Sequence, residues 1–171
     1  MHSLRRSGAG LLIVATLLAG SATACKDKKK EPSISKITPG TTATTVGINL
    51  CGLLTPADLK TALGSTFAAG EMRSAVQCQW KTAAGDITFT VTLAAADYAA
   101  TKRTVSGSGA PVEDVTGVGD QAFSSATPTA LLLVATNGPR VVVFGYTAPT
   151  VNATTAKPKV IALAKQALAK L

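Results

Sequence analysis

The sequence predicts an α+β domain, with an antiparallel sheet and helices packed on one face, in an order that reads as two helix-then-strands units. Three observations predict it. A capped helix signal at 55–64 precedes two stretches of apolar/polar alternation, at 76–81 and 87–93. A weaker helical stretch at 97–105 precedes two apolar runs of strand length, at 130–136 and 141–146. An amphipathic segment follows from Pro158 to Leu171. Helices separated by runs of antiparallel strands define this class. No residue-level repeat accompanies the two units.

The first helix is the best-marked element. Thr55 stands at the N-cap, Pro56 at the first helical position, Asp58 at the capping-box place and Gly64 at the left-handed C-cap. Leu59 and Leu63 lie one turn apart and predict a face packed on the sheet. In the next stretch Val76, Cys78 and Trp80 alternate with Gln77, Gln79 and Lys81. After a turn at Ala84-Gly85, Ile87, Phe89, Val91 and Leu93 alternate with threonines. Together these predict a hairpin with one dry and one wet face.

Further on, 106–110 reads as a flexible loop, 111–115 as a short strand, Thr116-Gly117-Val118-Gly119-Asp120 as a turn and 121–124 as another short strand. The runs at 130–136 and 141–146 are joined by Asn137-Gly138-Pro139-Arg140. They are apolar on both sides, which predicts central strands covered on both faces. The last helix is expected to be capped by Thr154-Thr155, with Pro158 in its first turn. Val160, Ile161, Leu163, Ala164, Ala167, Leu168 and Leu171 form its apolar arc, flanked by Lys159, Lys165 and Lys170. Such an arc covers its own sheet with lysine stems snorkelling, or lies on a membrane surface. The first of these is expected here.

The N-terminal residues 1–24 have the layout of a secretory signal. Arg5 and Arg6 are followed by the apolar run 11–18 and then by small residues up to Ala24. The apolar run is shorter than the ~20 residues needed to span a bilayer. Ala22-Thr23-Ala24-Cys25 resembles a lipobox, whose cysteine is acylated and becomes the first mature residue. Ala22 stands where Leu is commoner. Ordinary cleavage after Ala24 is the alternative. Residues 25–47 then read as a tether: Lys26, Lys28, Lys29 and Lys30 lie beside Cys25, and a Pro/Ser/Thr/Gly-rich stretch follows. That composition cannot offset chain entropy by burial. Two acyl chains with a basic cluster would anchor the chain to anionic lipid. The expected location is the outer face of the cytoplasmic membrane, with membrane lipid as a partner through acylated Cys25.

One globular domain is expected over 48–171. The formal charge of +8 includes Arg5, Arg6 and the tether lysines, so the domain is only mildly basic and shows no dense basic face. Nucleic acid is therefore not an expected partner. Of three cysteines, Cys25 is assigned to lipid. Cys51 and Cys78 remain as an even pair in an oxidising compartment, where a disulfide is the default and two buried thiols the alternative. Closing that loop contributes roughly 3–4 kcal/mol by chain entropy.

The single histidine is His2, which leaves with the signal. The mature chain cannot build a Ser-His-Asp triad or a histidine zinc site. Ser33-Ile34-Ser35-Lys36 has the S-x-x-K spacing, but it lies in the tether without the helix that chemistry needs. Gly117-Val118-Gly119-Asp120 lacks the following helix of a phosphate loop. Glu113, Asp114 and Asp120 would have to share one buried cleft to act as acid and base, and they lack calcium-loop spacing. Trp80 alternates with core residues and reads as core. Asn152-Ala153-Thr154 has the form of a glycosylation sequon.

The stretch from Cys51 through Gly52-Leu53-Leu54-Thr55-Pro56-Ala57-Asp58 to Leu59, the Cys78-Gln79-Trp80 strand and the run from Val115 to Phe123 resemble a family of small actinobacterial lipoproteins of unknown function. The resemblance spans roughly Cys51 to Leu171. It implies an exported, lipid-anchored, disulfide-containing domain, and it carries no catalytic residue. The expectation is a non-enzymatic binding or accessory domain of the cell envelope, with no cofactor and no metal. Its candidate partners are a small apolar ligand, a cell-wall component or an envelope protein. A histidine-independent wall-modifying hydrolase and a regulator or inhibitor of another envelope protein are the alternatives.

Overall fold

In the computed structural model, the described residues are 47–171. The expected signal, Cys25, residues 26–46 of the expected tether and the Ser33–Lys36 motif lie outside them. A 3-10 turn, Leu50–Gly52, opens the described chain and is capped by the Asn49 side chain. Helix α1 (Pro56–Leu63) follows, with the expected Thr55–Asp58 capping box and a left-handed Gly64. Strands β1 (Glu71–Ser74), β2 (Gln77–Lys81) and β3 (Thr88–Ala94) form a meander. Then come α2 (Tyr98–Gly107), β4 (Val112–Val115), β5 (Ala122–Ala126), β6 (Ala130–Asn137), β7 (Arg140–Thr147) and α3 (Ala153–Leu168).

All seven strands belong to one antiparallel sheet in the order β1-β2-β3-β7-β6-β5-β4. The two meanders join where β3 pairs with β7, from Thr88 opposite Thr147 to Ala94 opposite Val141. The α+β class with an antiparallel sheet is therefore observed. Helix-then-strands order appears twice, as α1 with β1–β3 and α2 with β4–β7.

Register assigns every strand residue to a face. Cys78, Trp80, Phe89, Val91, Leu131, Leu133, Ala135, Val142 and Phe144 point to one side, where α1 and α3 pack. Val160, Leu163, Ala164 and Ala167 of α3 are buried against that side, so its apolar arc covers the sheet. The other side of β5–β7 carries Phe123, Leu132, Val134, Val141 and Val143, and α2 covers it with Tyr98 and Val105. Helices on one face thus describes α1 and α3 but not α2. The reason is the one visible in the apolar runs of β6 and β7: strands apolar on both sides need cover on both. Tyr98 meets Phe123 edge-on, with ring centroids 5.5 Å apart.

Three local expectations are corrected. Val76 was expected to face inward; it lies in the β1–β2 turn and is 46% exposed. Strand β1 was not expected, because all four of its residues are exposed and carry no alternation. The cap of α3 is Asn152, not Thr154-Thr155; its side chain accepts from the Thr154 and Thr155 N–H groups. Pro158 consequently sits inside the helix rather than in its first turn. There it removes the donor that would reach the Thr154 carbonyl.

Candidate functional site

The 3-10 turn and β2 bring Cys51 and Cys78 together at disulfide distance, with Cα atoms 5.3 Å apart. Cys78 points to the core side of the sheet next to Trp80, and both are fully buried. Trp80 packs on Phe89 at 6.1 Å and is a core residue, as its alternation predicts. Its indole Nε1 has no hydrogen-bond partner. The chain crosses directly above at Gly70: a β-carbon there would lie 2.6 Å from Trp80 Nε1 and 2.9 Å from Cys78 Sγ. This corner is a packed structural joint.

The Gly117–Asp120 segment is a turn, and its residues have mechanical roles. Gly117 and Gly119 both have positive φ. Val118 between them is buried in the core. Gly119 lies so close to β6 that a β-carbon would sit 2.0 Å from the Thr136 carbonyl oxygen. The Asp120 N–H donates to that oxygen at 3.0 Å, and the Asp120 carboxylate accepts from the Gly138 N–H at 2.8 Å. No phosphate cradle is formed; the segment pins the β4–β5 connection onto the β6–β7 hairpin.

The three acids considered as a catalytic or calcium group are separated. Glu113 and Asp114 are consecutive on edge strand β4 and point to opposite faces. Glu113 accepts from Lys157 of α3 at 2.6 Å, and Asp114 accepts from Lys102 of α2 at 2.5 Å. Lys157 holds the Glu113 carboxyl below the usual range, and Asp114 raises Lys102. Each helix thus ties the sheet edge from its own side. Among the described residues no three metal-ligating side chains cluster.

A concave site at the β4 edge was not visible in the sequence. Pro111 and Glu113 from the β4 edge, Ser124 and Ala126 of β5, Leu131 of β6, and Ala153, Thr154 and Lys157 from the start of α3 line a cleft of about 140 Å³. Alternation places Glu113, Ser124, Ala126 and Leu131 on the α3 side of the sheet. Ser124 is only 4% exposed. Its residues come from four stretches, and only the sheet register brings them together. The one available signal was Ser124-Ser125, two serines where a strand core calls for apolar side chains.

Compared with protein-family models, curated proteins and solved structures, the chain matches none. Among the described residues no helix is long and apolar enough to cross a membrane.

Proposed function

We propose that this chain is an exported lipoprotein of the small actinobacterial type, held at the outer face of the cytoplasmic membrane by acylated Cys25, and that its folded part is a non-enzymatic binding or accessory domain of the cell envelope. The anchoring half of this reading is supported by the signal layout ending at Ala22-Thr23-Ala24-Cys25 and the lysines beside it.

One observation carries the non-enzymatic half. Each of the seven carboxylates between residues 47 and 171 is engaged by its own fold. Asp58 accepts from Thr55, Glu71 from Arg73, Asp86 from Thr82 and Asp97 from the Ala100 N–H. Glu113 and Asp114 hold lysines, and Asp120 holds Gly138. Acid–base chemistry without histidine needs two carboxyl groups in one cleft with pKa values pushed apart. These carboxylates serve caps, turns and the sheet edge instead.

The anchoring half is tested by growing a bacterial host that expresses the full chain with labelled palmitate. Label on the wild type, and none on Cys25→Ala with release of that variant from the membrane, is the expected result. An unlabelled wild type overturns it. For the second half, the purified chain is incubated with insoluble cell wall. No soluble fragments are expected; their release, abolished by substituting Glu113 or Asp114, would establish a hydrolase.

A further inference from the structure

The cleft between β4, β5 and the start of α3 has the components of a recognition site. Two opposite charges stand at its rim, Glu113 and Lys157, with side chains 69% and 28% exposed. The Ser124 side chain, only 4% exposed, stands inside and turns its hydroxyl-bearing carbon to the same space. The exposed Thr154 lines the same space. The first helical residue, Ala153, lines it as well, at the end of α3 where the helix dipole favours an anion. Pro111, Ala126 and Leu131 supply the apolar wall.

We propose that this cleft binds a small α-amino acid of about the size of alanine. The ligand carboxylate meets Lys157, the Ser124 hydroxyl and the start of α3. Its ammonium meets Glu113. Its methyl-sized side chain lies on Leu131 and Ala126. The rim pair explains why a zwitterion is preferred to a simple anion or cation. Glu113 and Lys157 already neutralise each other at 2.6 Å. A singly charged ligand must break that pair and leave one partner unmatched. A zwitterion with both charged groups attached to one carbon lets all four charges alternate. Size follows from volume: a cavity of about 150 Å³ holds benzene, with six heavy atoms. Alanine has the same number, and this cleft offers about 140 Å³.

The site rests on the reading of the domain as a binding module, and its test is separable from the tests of that reading. The full chain, purified in detergent and labelled at Ala and Leu methyl groups, is titrated with alanine while methyl shifts are followed. Propionate and ethylamine each supply one of the two charges, and alanyl-alanine separates them by a residue. Saturable shifts confined to the methyls of Ala126, Leu131 and Ala153 are expected with alanine. At least tenfold weaker responses are expected with propionate, ethylamine and alanyl-alanine. Ser124→Ala is expected to weaken alanine about tenfold, since it removes a hydrogen bond to a charged group. Glu113→Gln and Lys157→Gln each weaken it similarly while the melting temperature stays within a few degrees, as for an exposed pair. No saturable shift with alanine, an equal response to propionate, tighter binding of alanyl-alanine or an unchanged affinity in Ser124→Ala each overturns the assignment. If palmitate labels Cys25 and no wall fragments are released while alanine fails to bind, the site assignment alone falls.

Discussion

Replacing Gly119 with alanine is expected to be among the most damaging single-methyl additions in this domain, and Gly117→Ala provides its internal control. Both residues have positive φ, +58° at Gly119 and +70° at Gly117, so both variants incur the left-handed penalty of about 1–2 kcal/mol. Both also gain the same offset from a stiffer unfolded chain, about 0.4–1 kcal/mol. They differ in what the new methyl meets. At position 117 the nearest atom is the flexible Lys165 Nζ at 3.8 Å. At position 119 the Thr136 carbonyl oxygen lies at 2.0 Å, the carbonyl carbon at 3.1 Å and Leu168 Cδ1 at 3.5 Å. Comfortable contact between heavy atoms is about 3.5 Å, so oxygen and methyl must separate by more than 1 Å. The oxygen cannot yield cheaply, because it accepts from the Asp120 N–H and belongs to a residue paired with Val141. The turn must lift instead, losing one or two hydrogen bonds of about 1 kcal/mol each and exposing part of buried Val118. Gly117→Ala should therefore cost about 1 kcal/mol and Gly119→Ala about 3–5 kcal/mol. Urea unfolding of the full chain, followed by the fluorescence of Trp80, gives both values from the shift in midpoint at constant slope. A difference between the two variants below about 1 kcal/mol would refute the role given to the Thr136 contact.

Three other outcomes are expected. Removing the bridge by replacing Cys51 and Cys78 together should cost about 3.5 kcal/mol by chain entropy for a separation of 27 residues; an unchanged urea midpoint would show the bridge to be redundant. Gly70→Ala places a methyl 2.6–2.9 Å from Trp80 and Cys78; it should cost about 1–3 kcal/mol by overpacking and shift the Trp80 emission, whereas wild-type emission would show that the corner has room. Asp58 is held below its ordinary pKa by the Gln166 side chain and by the Thr55 N–H and hydroxyl. A depressed carboxyl stabilises the fold fully above its unfolded value, near 4, and loses that contribution as pH falls through the lower folded value. Asp58→Asn should therefore flatten the acid side of the melting-temperature profile; a parallel profile would mean that Asp58 contributes nothing to acid sensitivity.

Elements governed by local chemistry were legible in the sequence. Thr55, Pro56, Asp58 and Gly64 bound α1 because capping is decided within a few residues. The alternation of Cys78-Gln79-Trp80 and of 87–93 gave the β2–β3 hairpin because a strand with one wet face must alternate. The double-sided apolar runs of β6 and β7 gave their central place. Strand β1 escaped notice because an exposed edge strand has no hydrophobic pattern to read. Val76 continued the alternation of β2 in sequence, but the chain had already turned. Thr154-Thr155 looked like a cap beside Pro158, yet Asn152 reaches the same N–H groups and the helix tolerates a proline in its second turn. The face chosen by α2 depends on which side of β5–β7 is left bare, a property of the assembled sheet. The Glu113–Lys157 cleft was invisible for the same reason: its partners are 44 residues apart.

The bridge between the 3-10 turn and β2 also fixes how the domain responds to traction. Tension applied at Gly47, the first described residue, reaches Cys51 within a few residues and passes through a covalent link to Cys78, in the second strand of the sheet. The intervening segment, with α1, Gly70 and β1, lies in a closed loop and bears none of it. The α1 cap and its hydrogen bonds are thus shielded from peeling. Yielding must begin in the β-ladder, where many hydrogen bonds share the strain. Reduction would reroute the same pull through α1, whose eight residues could then unwind one turn at a time. Forced unfolding is governed by the unfolding barrier rather than by equilibrium stability. The joint therefore gives the domain a grip on its own N-terminal lead that persists under shear.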